Sequence, residues 1–171
     1  MSEKNNLPKI IVILGPTASG KSDLAVQLAK KIGGEVISAD SRQVYKGLDI
    51  GTGKITKKEM RGVPHHLLDV TNPKKQFTAS NFVSLTNKTA VQIVNEKKVP
   101  ILCGGTGFYI DAFLGEKQIP EVPPNIELRK ELEKKTTPEL FKILQKLDPI
   151  RASNIDSKNP RRLVRAIEIC K

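Results

Sequence analysis

Gly15-Pro16-Thr17-Ala18-Ser19-Gly20-Lys21-Ser22 is the stretch that decides the fold. It satisfies the pattern of a glycine, four free positions, then Gly-Lys-Ser. It also stands where that pattern must stand, between an apolar run from Lys9 to Leu14 and a helical pattern beginning at Lys21. Glycines let the backbone curl so that its amides point inward, and the helix N-terminus adds partial positive charge. Lys21 then reaches a terminal phosphate, and the Ser22 hydroxyl is placed to hold Mg²⁺. A diphosphate or triphosphate is the expected ligand of residues 15–22. The motif leaves the reaction open. ATP and GTP chemistry ordinarily adds an acid at the end of a nearby apolar strand. Here Ile101-Leu102-Cys103 runs into Gly104-Gly105, and Asp40 is the acid at a core strand end. This counts against a motor or GTPase and leaves small kinases, with ATP in the loop, and other users of diphosphates.

Working outward, Leu24, Ala25, Leu28, Ala29 and Ile32 repeat at helical spacing, which predicts a helix from Lys21 to Ile32 ended by Gly33-Gly34. Strands are expected at Glu35 to Ala39 and Val99 to Cys103, with loop from Tyr45 to Pro73. A long helix from Ala79 to Lys97 would bury Phe82, Leu85, Ala90, Ile93 and Val94. Alternating strands and helices imply an α/β fold, a P-loop NTPase-like doubly wound parallel sheet. The composition changes near Gly115. The proline-rich stretch Ile119 to Pro124 reads as a hinge, followed by helices at Ile126 to Lys135, Pro138 to Leu147 and from Pro160 onward. The expected organisation is an α/β core over 1–115, a small helical insertion or lid over 116–158, and a basic helix over 159–171 that returns to the core. There is no internal repeat.

The chain of 171 residues carries 29 Lys and Arg against 18 Asp and Glu, a net charge of +11, which makes a polyanion a plausible partner. No stretch approaches the roughly 18 apolar residues of a membrane span, and the start does not read as a signal peptide. Cys103 and Cys170 stand outside any zinc or CxxC spacing and read as two reduced core thiols of a cytoplasmic protein.

Asp40 follows the second strand, at the carboxyl edge where open α/β sheets bind ligands. It has three readings: a Mg²⁺ ligand, a proton acceptor for a nucleophile beside the diphosphate, or a cap on the turn before Ser41. Arg42 and Gln43 suit base and phosphate contacts. The glycines of 47–53 with Lys54 form either a second anion loop or a purely structural turn. His65-His66 with Asp69 lacks a third zinc ligand and reads as hydrogen-bonded structural histidines. Arg161, Arg162 and Arg165 share one helical face, either a solvated face or a nucleic-acid contact.

Five segments together resemble the tRNA isopentenyl (dimethylallyl) transferase family. They are GPTASGKS at 15–22, DSRQVYKGLDIGTGK at 40–54, GVPHHLLD at 62–69, GGTGFYI at 104–110 and NPRRLVRAIEI at 159–169. The resemblance implies transfer of a dimethylallyl group from dimethylallyl diphosphate to N6 of an adenosine in tRNA, at position 37 beside the anticodon, with release of diphosphate. It places the diphosphate in the loop of Gly15, Pro16, Thr17, Ala18, Ser19, Gly20, Lys21 and Ser22, with Mg²⁺ on Ser22. It makes Asp40 the general base, with Lys21 stabilising the leaving group and Thr106 beside the reacting groups. It assigns tRNA contact to Asp40, Ser41, Arg42, Gln43 and Thr106 and to Arg161, Arg162 and Arg165, with 116–158 as a lid facing the anticodon stem-loop. A monomer without membrane association is expected. Family members are usually longer, so the resemblance implies a chain truncated after the basic helix, lacking a later arginine associated with the diphosphate. Three other readings remain open at this point: an adenylate isopentenyltransferase, a small P-loop kinase, and an inactive truncated fragment that binds phosphate and RNA.

Overall fold

The computed structural model describes residues 9–120 and 122–171, in two compact units, Met1–Ile119 and Pro120–Lys171. The reading of the N-terminal start, Met1 to Pro8, and Glu121 of the hinge lie outside the described residues. The elements of the first unit are β1 (Ile11–Leu14), α1 (Lys21–Ile32), β2 (Gly34–Ser38), α2 (Lys57–Met60), β3 (His65–His66), α3 (Ala79–Asn95), β4 (Val99–Gly104) and α4 (Gly107–Leu114). The strands form one parallel sheet in the order β1-β4-β2-β3. Side chains alternate across a strand, so Ile37 and Leu102 enter one core with Phe82, Ala90 and Ile93 of α3 and Ile110 and Phe113 of α4. Val36, Ile101 and Cys103 enter another with Ala25, Val26 and Ala29 of α1. Helices therefore cover both faces, and the doubly wound parallel α/β fold is as expected.

The helix over 21–32 has the predicted bounds, closed by Gly33 in the left-handed region at φ 66°. Its buried face differs from the expected one. Ala25, Val26 and Ala29 are buried while Leu24 is 54% exposed, because small residues let the helix lie close on the strands. Cys103 is buried, but Cys170 is exposed, so only one of the two thiols is a core thiol. The segment read as loop from Tyr45 to Pro73 contains the short α2 and β3, and a bridge between Tyr45 and Thr71. The helix α4 went unpredicted, because its start lies in a run of glycines.

The second unit holds α5 (Ile126–Leu132), α6 (Thr137–Leu147), α7 (Pro149–Asn154) and α8 (Pro160–Cys170). Its own core gathers Leu132, Leu140, Leu144, Ala152, Leu163, Val164, Ala166 and Ile167. Two expectations change here. The division falls after Ile119 instead of Gly115, and α8 is grouped with the helices of 126–154, not set apart from them. The apolar face of α8 is buried within this unit.

Glu168 of α8 is 2% exposed and holds the unit together. It accepts from Arg129 Nε and Nη2 at 2.8 Å each and from the Asn125 amide at 2.7 Å, and it pairs with Arg165. The Arg129 hydrogen bond outweighs the opposing effect of burial and, with Arg165, pulls the carboxyl from an ordinary 4.5 down to about 2. A carboxyl with a lowered folded-state pKa stabilises fully above its unfolded value, and that stabilisation fades as pH falls toward the folded value. Glu168→Gln is expected to cost about 2–3 kcal/mol at neutral pH, below the range for fully buried pairs because both guanidiniums are partly exposed. Urea unfolding at pH 7, 4 and 2.5 should show the difference from the parent shrinking from pH 4.5 downward; a constant difference would deny Glu168 this role.

Candidate active site

The first β-strand delivers the chain at Leu14 into the loop of 15–20, and α1 starts at Lys21. Two residues make the loop's bends: Ala18 at φ 61° and Gly20 at φ 80°. Gly20 serves as the helix N-cap, and the Leu24 amide bonds its carbonyl at 3.1 Å. The amides of Lys21, Ser22 and Asp23 precede the first intrahelical bond, so their positive ends face out of the helix into the loop. Lys21 Nζ donates to the Pro16 carbonyl at 2.5 Å, which sets its ammonium across the same loop. Thr17, Ala18, Ser19, Gly20 and Ser22 are all exposed. Free amides at a helix N-terminus and an ammonium on the same exposed loop are the elements of an anion cradle.

The second strand ends at Ser38, and Asp40 follows. One carboxylate oxygen, Oδ1, accepts the amides of Arg42 at 2.8 Å and Gln43 at 3.2 Å. The turn-capping reading of Asp40 is therefore correct for that oxygen. Both peptides flanking Asp40 are held by Thr106: its amide donates to the Ala39 carbonyl at 3.1 Å, and its Oγ1 accepts the Ser41 amide at 3.0 Å. The turn of Gly104, Gly105 and Thr106 also reaches the phosphate loop, since a Cβ built on Gly105 would lie 3.4 Å from the Gly15 carbonyl and 3.9 Å from Lys21 Cε. One three-residue turn thus lies beside the phosphate loop on one side and bonds the peptides flanking Asp40 on the other. Cys103 lies just beneath, its thiol raised to about 11 by burial against the opposing pull of Lys21.

Other candidates from the sequence are engaged elsewhere. Lys54 does not offer an anion site. Its side chain is 6% exposed, and Nζ donates to Tyr45 O at 2.8 Å, Asp49 Oδ1 at 2.6 Å and Asp69 Oδ1 at 2.5 Å. An ammonium has three protons, and all are used. Burial lowers its pKa, but the two carboxylates outweigh that and hold it above the ordinary lysine value. The loop of 47–54 is therefore a staple for the segment that follows Asp40. Gln43 is half-buried and donates its side-chain amide to Gly53 O at 3.3 Å, while Arg42 is exposed. His66 Nε2 lies 2.6 Å from buried Glu35, which also pairs with Lys98, and His65 Nδ1 lies 2.9 Å from Val63 O. Both are hydrogen-bonded structural histidines, as expected.

In the second unit, Arg161 and Arg162 of α8 are exposed, whereas Arg165 is spent on Glu168 and the Val122 carbonyl at 2.9 Å. Arg165 is thus a structural residue more than a free contact. The residue missed in the sequence is Arg151 of α7. It joins Arg161, Arg162, Arg165, Asn154, Ile155 and Asn159 around an open groove of about 480 Å³. Its signal was weak, a single arginine ten residues from the basic run.

A phosphate loop after β1 and a carboxylate after β2, on either side of the central β4 of a parallel sheet, define a P-loop protein. The IPP transferase family model matches residues 43–171, and the chain belongs to that family. Among curated proteins, the tRNA dimethylallyltransferases of Anoxybacillus flavithermus and Leuconostoc citreum are 44% and 43% identical over 94% and 96% of this chain. The chain spans about half the length of the curated relatives it matches, 52% and 56% for these two. Two solved structures are similar over 94% of the chain. The tRNA isopentenylpyrophosphate transferase of Bacillus halodurans is 42% identical at a TM-score of 0.64, with 55% of it covered. A eukaryotic dimethylallyltransferase described as acting on tRNA is 32% identical at 0.81, with 40% of it covered.

Replacing Lys21 by Ala removes the one cation of the cradle and should weaken inorganic diphosphate binding by about 10–100-fold, one to two powers of ten being what a charge-assisted contact contributes. Isothermal titration calorimetry measures this directly. Unchanged affinity would remove Lys21 from the anion site.

Proposed function

We propose that this chain performs the donor-binding and base-activating part of dimethylallyl transfer to adenosine N6 in tRNA, at position 37 beside the anticodon. The turn of Gly104 to Thr106, lying beside the phosphate loop and bonded to the peptides flanking Asp40, is the observation that carries this reading. Dimethylallyl diphosphate sets its diphosphate on the amides of residues 17–22 and on Lys21. As the allylic carbon–oxygen bond breaks, the electron pair stays on the diphosphate oxygen, and the cradle stabilises that charge. The N6 lone pair forms the new carbon–nitrogen bond. Its proton becomes acidic as the bond forms and passes to Asp40 Oδ2, since Oδ1 already holds two amides. Thr106 stands beside these groups and keeps Asp40 in place.

The loop fits Mg²⁺: the Ser22 hydroxyl is exposed in the first turn of α1, and a hydroxyl with phosphate oxygens and water is a donor set that this ion takes. When bound, Mg²⁺ adds further charge neutralisation at the leaving diphosphate. The adenine must leave its stack to meet Asp40, and Ser41, Arg42 and Gln43 border the place it would enter. Arg161 and Arg162, with Arg151, fit contacts to the anticodon stem-loop backbone. The chain acts as a monomer in the cytoplasm in this reading; among the described residues no helix is long and apolar enough to cross a membrane.

Incubation with Mg²⁺, dimethylallyl diphosphate and either unmodified tRNA or AMP, followed by nucleoside mass spectrometry, tests the proposal. The expected product is isopentenyladenosine in tRNA. A product on AMP alone would move the chain to the adenylate-modifying relatives, and no product on either would deny that this chain suffices. Asp40→Asn should lower the rate by at least about 10²-fold, the lower end of general-base contributions, with diphosphate affinity unchanged; retained activity would remove Asp40 as the base. The combined change Arg151→Ala, Arg161→Ala and Arg162→Ala should weaken tRNA binding and flatten its salt dependence by about two to three counterions. Filter binding across a salt series reads that slope, and an unaltered one would return these arginines to solvent.

A further inference from the structure

We propose that Gly104 is a positioning residue for Asp40: its missing side chain is what lets the peptide carrying Asp40 lie where the phosphate loop needs it. The closest approach at any glycine of the described chain is here. A Cβ on Gly104 would stand 2.1 Å from the Ala39 oxygen, 2.5 Å from its carbonyl carbon and 2.8 Å from its Cα. All three are backbone atoms, so no side-chain rotation can relieve the contact. The peptide concerned is the one whose nitrogen belongs to Asp40.

Two hydrogen bonds depend on that approach. The Ala39 amide donates to Cys103 O at 2.8 Å, and the Ala39 carbonyl accepts from the Thr106 amide at 3.1 Å. Thr106 Oγ1 then takes the Ser41 amide. Gly104 also pairs in register with Leu14, the residue that enters the phosphate loop. A methyl group at Gly104 forces the Ala39 peptide away from β4. It moves Asp40 relative to the loop while leaving the loop's own residues untouched. Gly107 is the contrasting case, with nothing within 4 Å of its Cβ position.

The kinetic part of the test rests on the proposed role of Asp40 as base; the structural part does not. Gly104→Ala should raise hydrogen exchange at the Ser41, Arg42 and Gln43 amides by at least tenfold, and inorganic diphosphate affinity should stay within threefold. In the transfer assay, kcat should fall at least tenfold with KM for the allylic diphosphate unchanged. Gly107→Ala is the matched control and should leave exchange at these amides unchanged. If Gly104→Ala does not fold, Thr106→Val tests the same grip without a clash: it removes the acceptor of the Ser41 amide and should raise exchange there, while Thr106→Ser restores it.

Fast exchange with an inactive parent chain upholds the positioning role and sinks the proposed activity alone. An active parent with fast exchange but full kcat shows that Asp40 placement does not govern turnover and overturns the proposal. Exchange within twofold of the parent in both Gly104→Ala and Thr106→Val overturns it as well, whatever the activity.

Discussion

The central strand β4 carries ladders to β1 and β2 at once, and the upper end of that double ladder is where the candidate site is built. Leu14 pairs with Gly104 on one side, and the Ala39 peptide closes on Gly104 from the other. Leu14 leads into the anion cradle and Ala39 leads into Asp40. The distance between cradle and carboxylate is therefore a sheet spacing, about 4.8 Å per strand, and not a loop conformation. Displacement at carbon needs a charge stabiliser at the leaving group and a proton acceptor at the nucleophile, both held in place before reaction. Rigid strand ends supply such placement better than a flexible segment does.

The same economy governs the polar groups nearby. Asp40 divides its work between two oxygens, one taken by the Arg42 and Gln43 amides. Lys54 uses every proton on its own loop, and so fixes the chain after Asp40 without presenting charge to a ligand. Glu35 of β2 sits buried between His66 and Lys98. A net charge of +11 makes every lysine and arginine look like a candidate contact. Pairing decides among them: Lys54, Arg129 and Arg165 are consumed by carboxylates, while Arg42, Arg161 and Arg162 face solvent.

What the sequence made legible was local. The phosphate loop and the bounds of α1 follow from residues within one turn of one another, and Asp40 was found because a strand ended just before it. What stayed hidden depended on partners far along the chain. Lys54 meets Asp69 fifteen residues on, and Arg129 meets Glu168 across thirty-nine. No periodicity within either segment announces those pairs. The face of α1 was misjudged for a related reason. Leu24 and Ile32 fit the helical stripe, but the close fit of Ala25, Val26 and Ala29 against the strands turned the helix past them. Gly104 read only as the end of a strand that lacks an acid, whereas a Cβ there would stand 2.1 Å from the Ala39 oxygen.

In the helical unit, one carboxylate reshapes the charge of a whole face. The buried residues Leu163, Val164, Ala166 and Ile167 fix the rotation of α8, and helical geometry then places Arg161, Arg162 and Arg165 on the far side. Glu168 lies at the border between the two faces and draws Arg165 back toward the interior. Arg165 still lines the groove beside Arg161 and Arg162, but its charge is paired, and Arg151 of α7 adds a cation from a second helix. Cations on two helices flank a channel, and cations on one helix mark a line. The free charge of this unit thus follows from the burial of a glutamate, since without Glu168 the sequence run Arg161, Arg162, Arg165 would be the whole of the basic surface on α8.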